Sequence, residues 1–337
     1  MSDIEWARSD LMLVGVMVQT ETRRLQRLAE ELEESGLPAA GSAALRSMLL
    51  EEVDHALRPA VHERRVISSG TILEPKSDPA TWTEGTDLQM SRTPLRQPTL
   101  AAARRFINGL SSWLLRWEDD AENEWVLFDR PAGSERDLAI LADVMDATIV
   151  QRHPSEVVRI VGPFGVLRWE GLTWHHEPPV RAWIDSVSAG PHAGDRKALE
   201  ALLLMAVHDL GSLGIGALLV YRPDDSPGPP VEERLPVPPP LRVSKPAHLA
   251  PLRHALAQTD GAAVFDAAGV LRQLGVRLVP SANAETEVDA LGGTRHTSGV
   301  RYSHDDPTAT VIVVSEDGPV SVLRAGEVLR LGPPPAP

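Results

Sequence analysis

Residues 8–35 (RSDLMLVGVMVQTETRRLQRLAEELEES) place apolar side chains three and four positions apart and gather their charges toward the end, which predicts an amphipathic helix. A second helix is expected over 42–57, followed by an extended segment around Val66–Leu73. The polar stretch 75–97, bounded by Pro75, Pro79, Pro94 and Pro98, reads as a loop. Helices are expected near 99–118 and 134–147, on either side of a short strand at Glu124–Phe128. Val157–Ile160 and Val166–Trp174 read as strands about the turn Gly162-Pro163-Phe164-Gly165.

The pattern changes near Asp195. A helix over Arg196–Leu210 runs through Gly211–Gly216 into the apolar stretch Ala217–Tyr221. The loop 223–246 is dense in proline, which excludes a helix and disfavours a long strand. A short helix, Leu249–Gln258, leads to strand Ala262–Phe265, a turn at Ala267–Gly269 and strand Val270–Leu274. A further helix opens after Gly292, and Thr310–Val314 and Val320–Leu323 pair about Glu316-Asp317-Gly318. Helices alternating with short apolar strands make the fold class α/β. The organisation expected is an unassigned α/β N-terminal domain over 1–190, regulatory or oligomerising, a mixed α/β domain over 191–332, and a tail over 333–337.

Length fits this division, since 337 residues correspond to about two domains. With 42% apolar and 24% charged residues the chain can bury a core, so wholesale disorder is excluded. No cysteine is present, which removes disulfides, cysteine-bound zinc and thiol catalysis together and fits a reducing compartment. Lys and Arg total 33 against 47 Asp and Glu, a net charge of −14, so the electrostatic footprint of a general nucleic-acid binder is missing. MSDIEWARSD does not resemble a secretory signal. Glu200, His208, Asp209 and three glycines interrupt the longest apolar stretch, Ala198–Tyr221, so it does not read as a membrane span. The expectation is a cytoplasmic protein with neither membrane nor nucleic acid as partner.

Three segments could carry chemistry. In Gly292-Gly293-Thr294-Arg295-His296-Thr297-Ser298, two glycines allow a tight turn, Thr294 suits a helix N-cap, and Arg295 and His296 occupy a first turn whose free amides attract anions. An ordinary capped helix with a solvated Arg and His is the plainer reading. Asp260-Gly261-Ala262 sets a carboxylate at a strand end, able to hold a divalent cation or take a hydroxyl proton, although Asp-Gly is also a common turn pair. Ser315-Glu316-Asp317-Gly318 is at its simplest an acidic hairpin turn. Other matches fail. The glycines of 211–216 precede their strand, whereas a dinucleotide fingerprint follows one. His175 and His176 are strand neighbours aimed at opposite faces. Trp113 and Trp117, at helical i,i+4 spacing, read as core packing.

Taken in order, Gly216-Ala217-Leu218-Leu219-Val220, Asp260-Gly261-Ala262, Gly293-Thr294-Arg295-His296 and Val314-Ser315-Glu316 resemble the nucleotide-binding domain of diadenylate cyclases, the family that includes the DNA-integrity-scanning proteins. That family pairs a DGA motif with a GTRHR motif some tens of residues later. The resemblance implies condensation of two ATP molecules into cyclic di-AMP and two pyrophosphates across two facing domains. The partners are then ATP and at least one further copy of the chain, and the cofactor is Mg²⁺ or Mn²⁺. It implies that Asp260 is catalytic or metal-binding, and that Glu316 helps hold the metal. Gly261, Ala262 and Leu278 would line the nucleotide, Gly293, Thr294, Arg295 and His296 would hold the triphosphate, and Ser315 would touch a phosphate. The second arginine of GTRHR is Thr297 here, a loss of about 1.5–3 kcal/mol if that contact is buried and charge-assisted. Arg301, one turn further on, is the expected compensating cation. The alternative function is a weak or inactive nucleotide sensor using the same pocket. A purely structural module built on the tryptophan-rich first half would leave the ordered motifs unexplained.

Overall fold

The structure, a computed structural model, describes residues 21–38, 41–59, 61–62, 65–95, 100–119, 122–188, 196–224, 228–316 and 319–331. Expectations for 8–20, for Asp317-Gly318 and for the final GPPPAP lie outside these residues. Cα packing divides the chain into two units, 1–133 with 137–176, and 134–136 with 177–337.

The first unit begins with α1 (residues 21–34) and α2 (Ala43–Leu57), the latter capped by Ser42, whose Oγ accepts the Leu45 amide at 3.0 Å. A short pair, β1 (Val61–His62) and β2 (Arg65–Val66), precedes β3 (Ser69–Leu73), α3 (Trp82–Thr86), β4 (Met90–Pro94) and α4 (Leu100–Ala103). Then come β5 (Ser112–Arg116), β6 (Glu124–Phe128), α5 (Glu135–Met145), β7 (Thr148–Arg152), β8 (Val158–Gly162), β9 (Gly165–Trp169) and β10 (Trp174–Glu177). The larger sheet has the order β10-β9-β8-β7-β3-β5-β6-β4. Arg116 on central β5 tolerates burial because Glu52 of α2 meets it at 2.8 Å and also accepts from Arg104 at 2.6 Å and Thr71 at 2.9 Å.

Three expectations change here. The helix near 99–118 is instead α4 and strand β5. Asn108 Oδ1 accepts the amides of Leu110, Ser111 and Ser112 at 2.9–3.0 Å, which turns the chain out of any helix, and all of β5 is buried, so its apolar residues do not alternate. Trp113 is core, as expected, but on a strand. The loop 75–97 contains α3 and β4; β4 is an edge strand pairing only β6, and its polar composition suits an exposed edge. Unexpected β7 hides because Gln151 and Arg152 are buried polar residues, which donate to backbone carbonyls of Gly109 (2.7 Å), Gly133 (3.0 Å) and Ala56 (3.0 Å).

The second unit runs α6 (Val180–Ser188), α7 (Arg196–Leu204), a π-helical turn Met205–Leu210, β11 (Ala217–Tyr221), β12 (Val231–Glu232), α8 (Pro246–Ala257), β13 (Ala262–Phe265) and β14 (Leu271–Leu278). It closes with α9 (Ala282–Glu287), α10 (Thr294–Asp305), β15 (Thr310–Val314), β16 (Ser321–Arg324) and β17 (Glu327–Val328). Thus the helix expected over Arg196–Leu210 loosens after Leu204, β14 extends four residues past Leu274, and α9 is added. Leu219, Tyr221, Phe265 and Ile312 face one way and pack with α7, whereas Leu218, Val220, Val311 and Val313 face the other and pack with Val300 and Tyr302 of α10. A sheet covered on both faces needs apolar residues at successive positions, which accounts for the unbroken runs ALLVY and TVIVV.

The sheet order, β12-β14-β13-β11-β15-β16-β17, repeats the first unit's. β3 is parallel to β5 and antiparallel to β7, as β11 is parallel to β13 and antiparallel to β15. The outer strands follow the same succession on both sides, with β10 the one addition. The two units therefore share one topology.

Candidate functional site

Because β11 runs parallel to β13 and antiparallel to β15, the start of β11, the start of β13 and the end of β15 lie at one end of the sheet. The register sets Leu218 beside Ala262 and Ala217 beside Val314. Gly216, Gly261 and Ser315, one step outside those strands, consequently fall together. A cavity of about 810 Å³ opens there, a size suited to a small-molecule ligand.

Asp260, Gly261 and Ala262 line the cavity from the start of β13, and Leu278 lines it from the end of β14. Gly293, Thr294, Arg295 and His296 contribute from the start of α10, and Ser315 and Glu316 from the end of β15. All ten residues expected from the sequence surround one space. Leu218, Val276 and Val313 give it an apolar wall.

Local geometry explains why two of these positions are glycine. Gly261 has φ +105°, and a Cβ there would lie 2.7 Å from the Gly275 carbonyl carbon and 2.8 Å from the Val276 oxygen. Gly293, at φ +102°, is the N-cap of α10. Thr294 is the first helical residue rather than the cap, which corrects the sequence reading. Thr297 secures the turn instead: its hydroxyl donates to the Leu291 oxygen at 2.9 Å, shared with the Gly293 oxygen at 3.1 Å, and accepts the Leu291 amide at 3.1 Å. Amides in the first turn of a helix have no intrahelical acceptor, so those of Thr294, Arg295 and His296 form an electropositive pole on the cavity wall.

Arg295 Nη1 lies 3.3 Å from Glu316 Oε1. This ion pair rests over Gly216, where a Cβ would lie 2.9 Å from both Arg295 Cζ and Glu316 Cγ. His296 Nε2 is 3.2 Å from Ser321 Oγ. The site thus joins a helix pole, an arginine and a histidine to two carboxylates beside an apolar wall, the chemistry that receives a nucleotide with its phosphates.

Comparison with known proteins agrees with this geometry. Residues 205–328 match the family described as DisA bacterial checkpoint controller nucleotide-binding, or DAC. The C-terminal part of the chain is a DAC domain. Residues 26–177 match a second family, described as probable sensor domain DACNK. No curated protein matches the chain. Among solved structures, a double cysteine mutant of DacA from Staphylococcus aureus is 19% identical, over 45% of this chain and 85% of that one, with a TM-score of 0.24. A hypothetical membrane spanning protein from Bacillus cereus is also 19% identical, over 41% of this chain and 73% of that one, with a TM-score of 0.31. No helix among the described residues is long and apolar enough to cross a membrane.

Within the DAC domain the expected compensation by Arg301 fails. Its Nε donates to the Val288 oxygen at 3.3 Å, and it does not line the cavity. Besides the apolar wall of Leu218, Val276 and Val313, four residues outside the expected set line it: Arg234, Arg277, Gly292 and Ser298. Gly292 and Ser298 flank the recognised motif and Arg277 precedes Leu278, so adjacency was a usable signal for these three. Arg234 comes from the proline-rich segment and has no local signature. Among the described residues no cluster of three or more His, Asp or Glu is arranged to hold a metal.

Proposed function

We propose that the DAC domain binds ATP in this cavity and, facing the same domain of a second copy, condenses two ATP into cyclic di-AMP and two pyrophosphates. The observation supporting this most is convergence: ten residues singled out in separate stretches of sequence line one space. In the proposed reaction each 3′-hydroxyl attacks the α-phosphorus of the ATP held by the other copy. A P–O bond to the ribose forms, the bond to the β-phosphate bridge breaks, and pyrophosphate leaves with that electron pair. Asp260 takes the hydroxyl proton. The α10 amides, Arg295 and His296 hold the phosphates, Ser315 adds a hydroxyl contact, and Gly261, Ala262 and Leu278 bound the base and sugar. Phosphoryl transfer asks a protein mainly for such positioning and charge stabilisation.

The donor set suits Mg²⁺ or Mn²⁺, which take one or two carboxylates together with substrate phosphates rather than a full protein cage. Asp260 and Glu316 would hold the ion, and it would supply neutralisation of phosphate charge. The reading places the protein in the cytoplasm, where ATP is available.

A second reading, a nucleotide sensor without turnover, draws support from Thr297, whose hydroxyl is spent on the Leu291–Gly293 turn, and from Arg301, which is turned away. Incubating the full chain with ATP and either metal, then separating products by chromatography, distinguishes the two. Cyclic di-AMP that disappears with Asp260→Asn is the expected result. ATP binding without product in either metal would establish the sensor instead.

A further inference from the structure

We infer that Arg234, carried by the proline-rich segment, is a phosphate-contacting residue of the nucleotide site, supplying the cation that neither Thr297 nor Arg301 provides. This rests on the ATP-binding reading above. Three arginines and two carboxylates line the cavity: Arg234, Arg277 and Arg295 against Asp260 and Glu316. Arg295 is engaged with Glu316 at 3.3 Å, and Arg277 with Glu232 at 3.5 Å. Among the described residues Arg234 has no acidic partner, so its guanidinium can meet an incoming anion without first giving up a carboxylate, as Arg295 and Arg277 must. Without it the lining arginines only match the lining carboxylates, which leaves the helix pole to favour a polyphosphate in a chain of net charge −14.

The backbone around Arg234 is held in place. Val231 and Glu232 pair with Leu278 and Arg277, Glu233 accepts from Gln273 at 2.7 Å, and Leu235 Cδ1 would lie 2.9 Å from a Cβ at Gly275. The segment is thereby fastened to β14 on both sides of residue 234, and Gly275 in turn abuts Asp260, whose carbonyl oxygen would lie 3.3 Å from that same Cβ. Arg234 is thus presented at the Asp260 side of the cavity. Proline is well matched to such a segment, because with φ fixed it cannot join a helix, and ordering it on the domain surface costs little chain entropy. Arginine's planar fork is the side chain that can bind two phosphate oxygens at once.

The test titrates the full chain with ATP and separately with adenosine, which lacks phosphates, by calorimetry. The parent is compared with Arg234→Ala and Arg234→Lys. Loss of a charge-assisted contact predicts an ATP Kd weakened about 10- to 100-fold in Arg234→Ala, with partial recovery in Arg234→Lys and adenosine binding unchanged. The salt dependence of ATP binding should also become shallower in Arg234→Ala. Parent-like ATP affinity in Arg234→Ala would overturn the inference alone and leave the proposed function standing. Equal loss of ATP and adenosine affinity would overturn it as well, since that points to the base or to the fold. A parent chain that binds no ATP would overturn both. Arg234 is exposed, so the variants are expected to keep the parent Tm.

Discussion

Gly216→Ala separates binding from stability more sharply than removal of any contact residue. The added methyl would stand 2.9 Å from Arg295 Cζ and Glu316 Cγ, well inside the 3.4–4 Å of ordinary van der Waals contact. Both atoms belong to side chains with solvent access, 38% exposed for Arg295 and 67% for Glu316, so they can swing aside. The fold then loses only an exposed ion pair, at most about 1 kcal/mol. The ligand site loses its positioned guanidinium, worth about 1.5–3 kcal/mol toward a phosphate, or roughly a 10- to 150-fold rise in Kd. Calorimetric titration with ATP beside a thermal melt reads both quantities. Arg295→Ala sets the ceiling, and adding Gly216→Ala to it should cost nothing more, because both act through one side chain. Unchanged ATP affinity in Gly216→Ala, at the parent Tm, would refute the assignment of Arg295 as a positioned ligand contact.

Gly261→Ala should behave in the opposite way: its Cβ meets the backbone of Gly275 and Val276 at φ +105°, so it is expected to destabilise the second unit by about 2–4 kcal/mol. Chemical denaturation measures this, and a midpoint equal to the parent's would contradict the packing described. Asp305 offers a pH-dependent case. Burial opposes its ionisation, but the hydroxyl and amide of Ser281, at 2.6 and 2.7 Å, and His304 hold its carboxyl below the ordinary 3.8. A depressed carboxylate contributes stability above its unfolded pKa and loses it as pH falls through the folded value. Asp305→Asn should therefore be less stable than the parent at pH 7, with the difference closing below about pH 3.8. A gap as wide at pH 3 as at pH 7 would count against this account.

What the sequence disclosed depended on whether information was local. β11, β13 and β15 were visible because a strand covered on both faces writes an unbroken apolar run. The site motifs were visible because each sits at the end of such a strand or at a helix start. β5 carries the same kind of run, but its residues also fit helical spacing, and the deciding feature was the Asn108 side chain capturing three amides. β4 and β7 broke the expected patterns for opposite reasons, one an exposed edge and the other a strand whose buried Gln151 and Arg152 find carbonyl partners. Arg234 was invisible because only the pairing of β12 with β14 brings it to the cavity. Nothing in the residues around it encodes a ligand.

The shared strand order has one further consequence. At the same end of the first unit's sheet, Gln151 occupies the register position of Val313, and its Nε2 ties together the carbonyl oxygens of Gly109, ahead of β5, and Gly133, ahead of α5, at 2.7 and 3.0 Å. A Cβ at Gly133 would already stand 3.0 Å from the Gly109 oxygen. The seam that gapes in one sheet is stitched shut in the other. Grafting the acidic and basic motif residues onto that first scaffold would transplant the chemistry without a vessel to contain it, so the two halves cannot be interchangeable receptors for the same molecule.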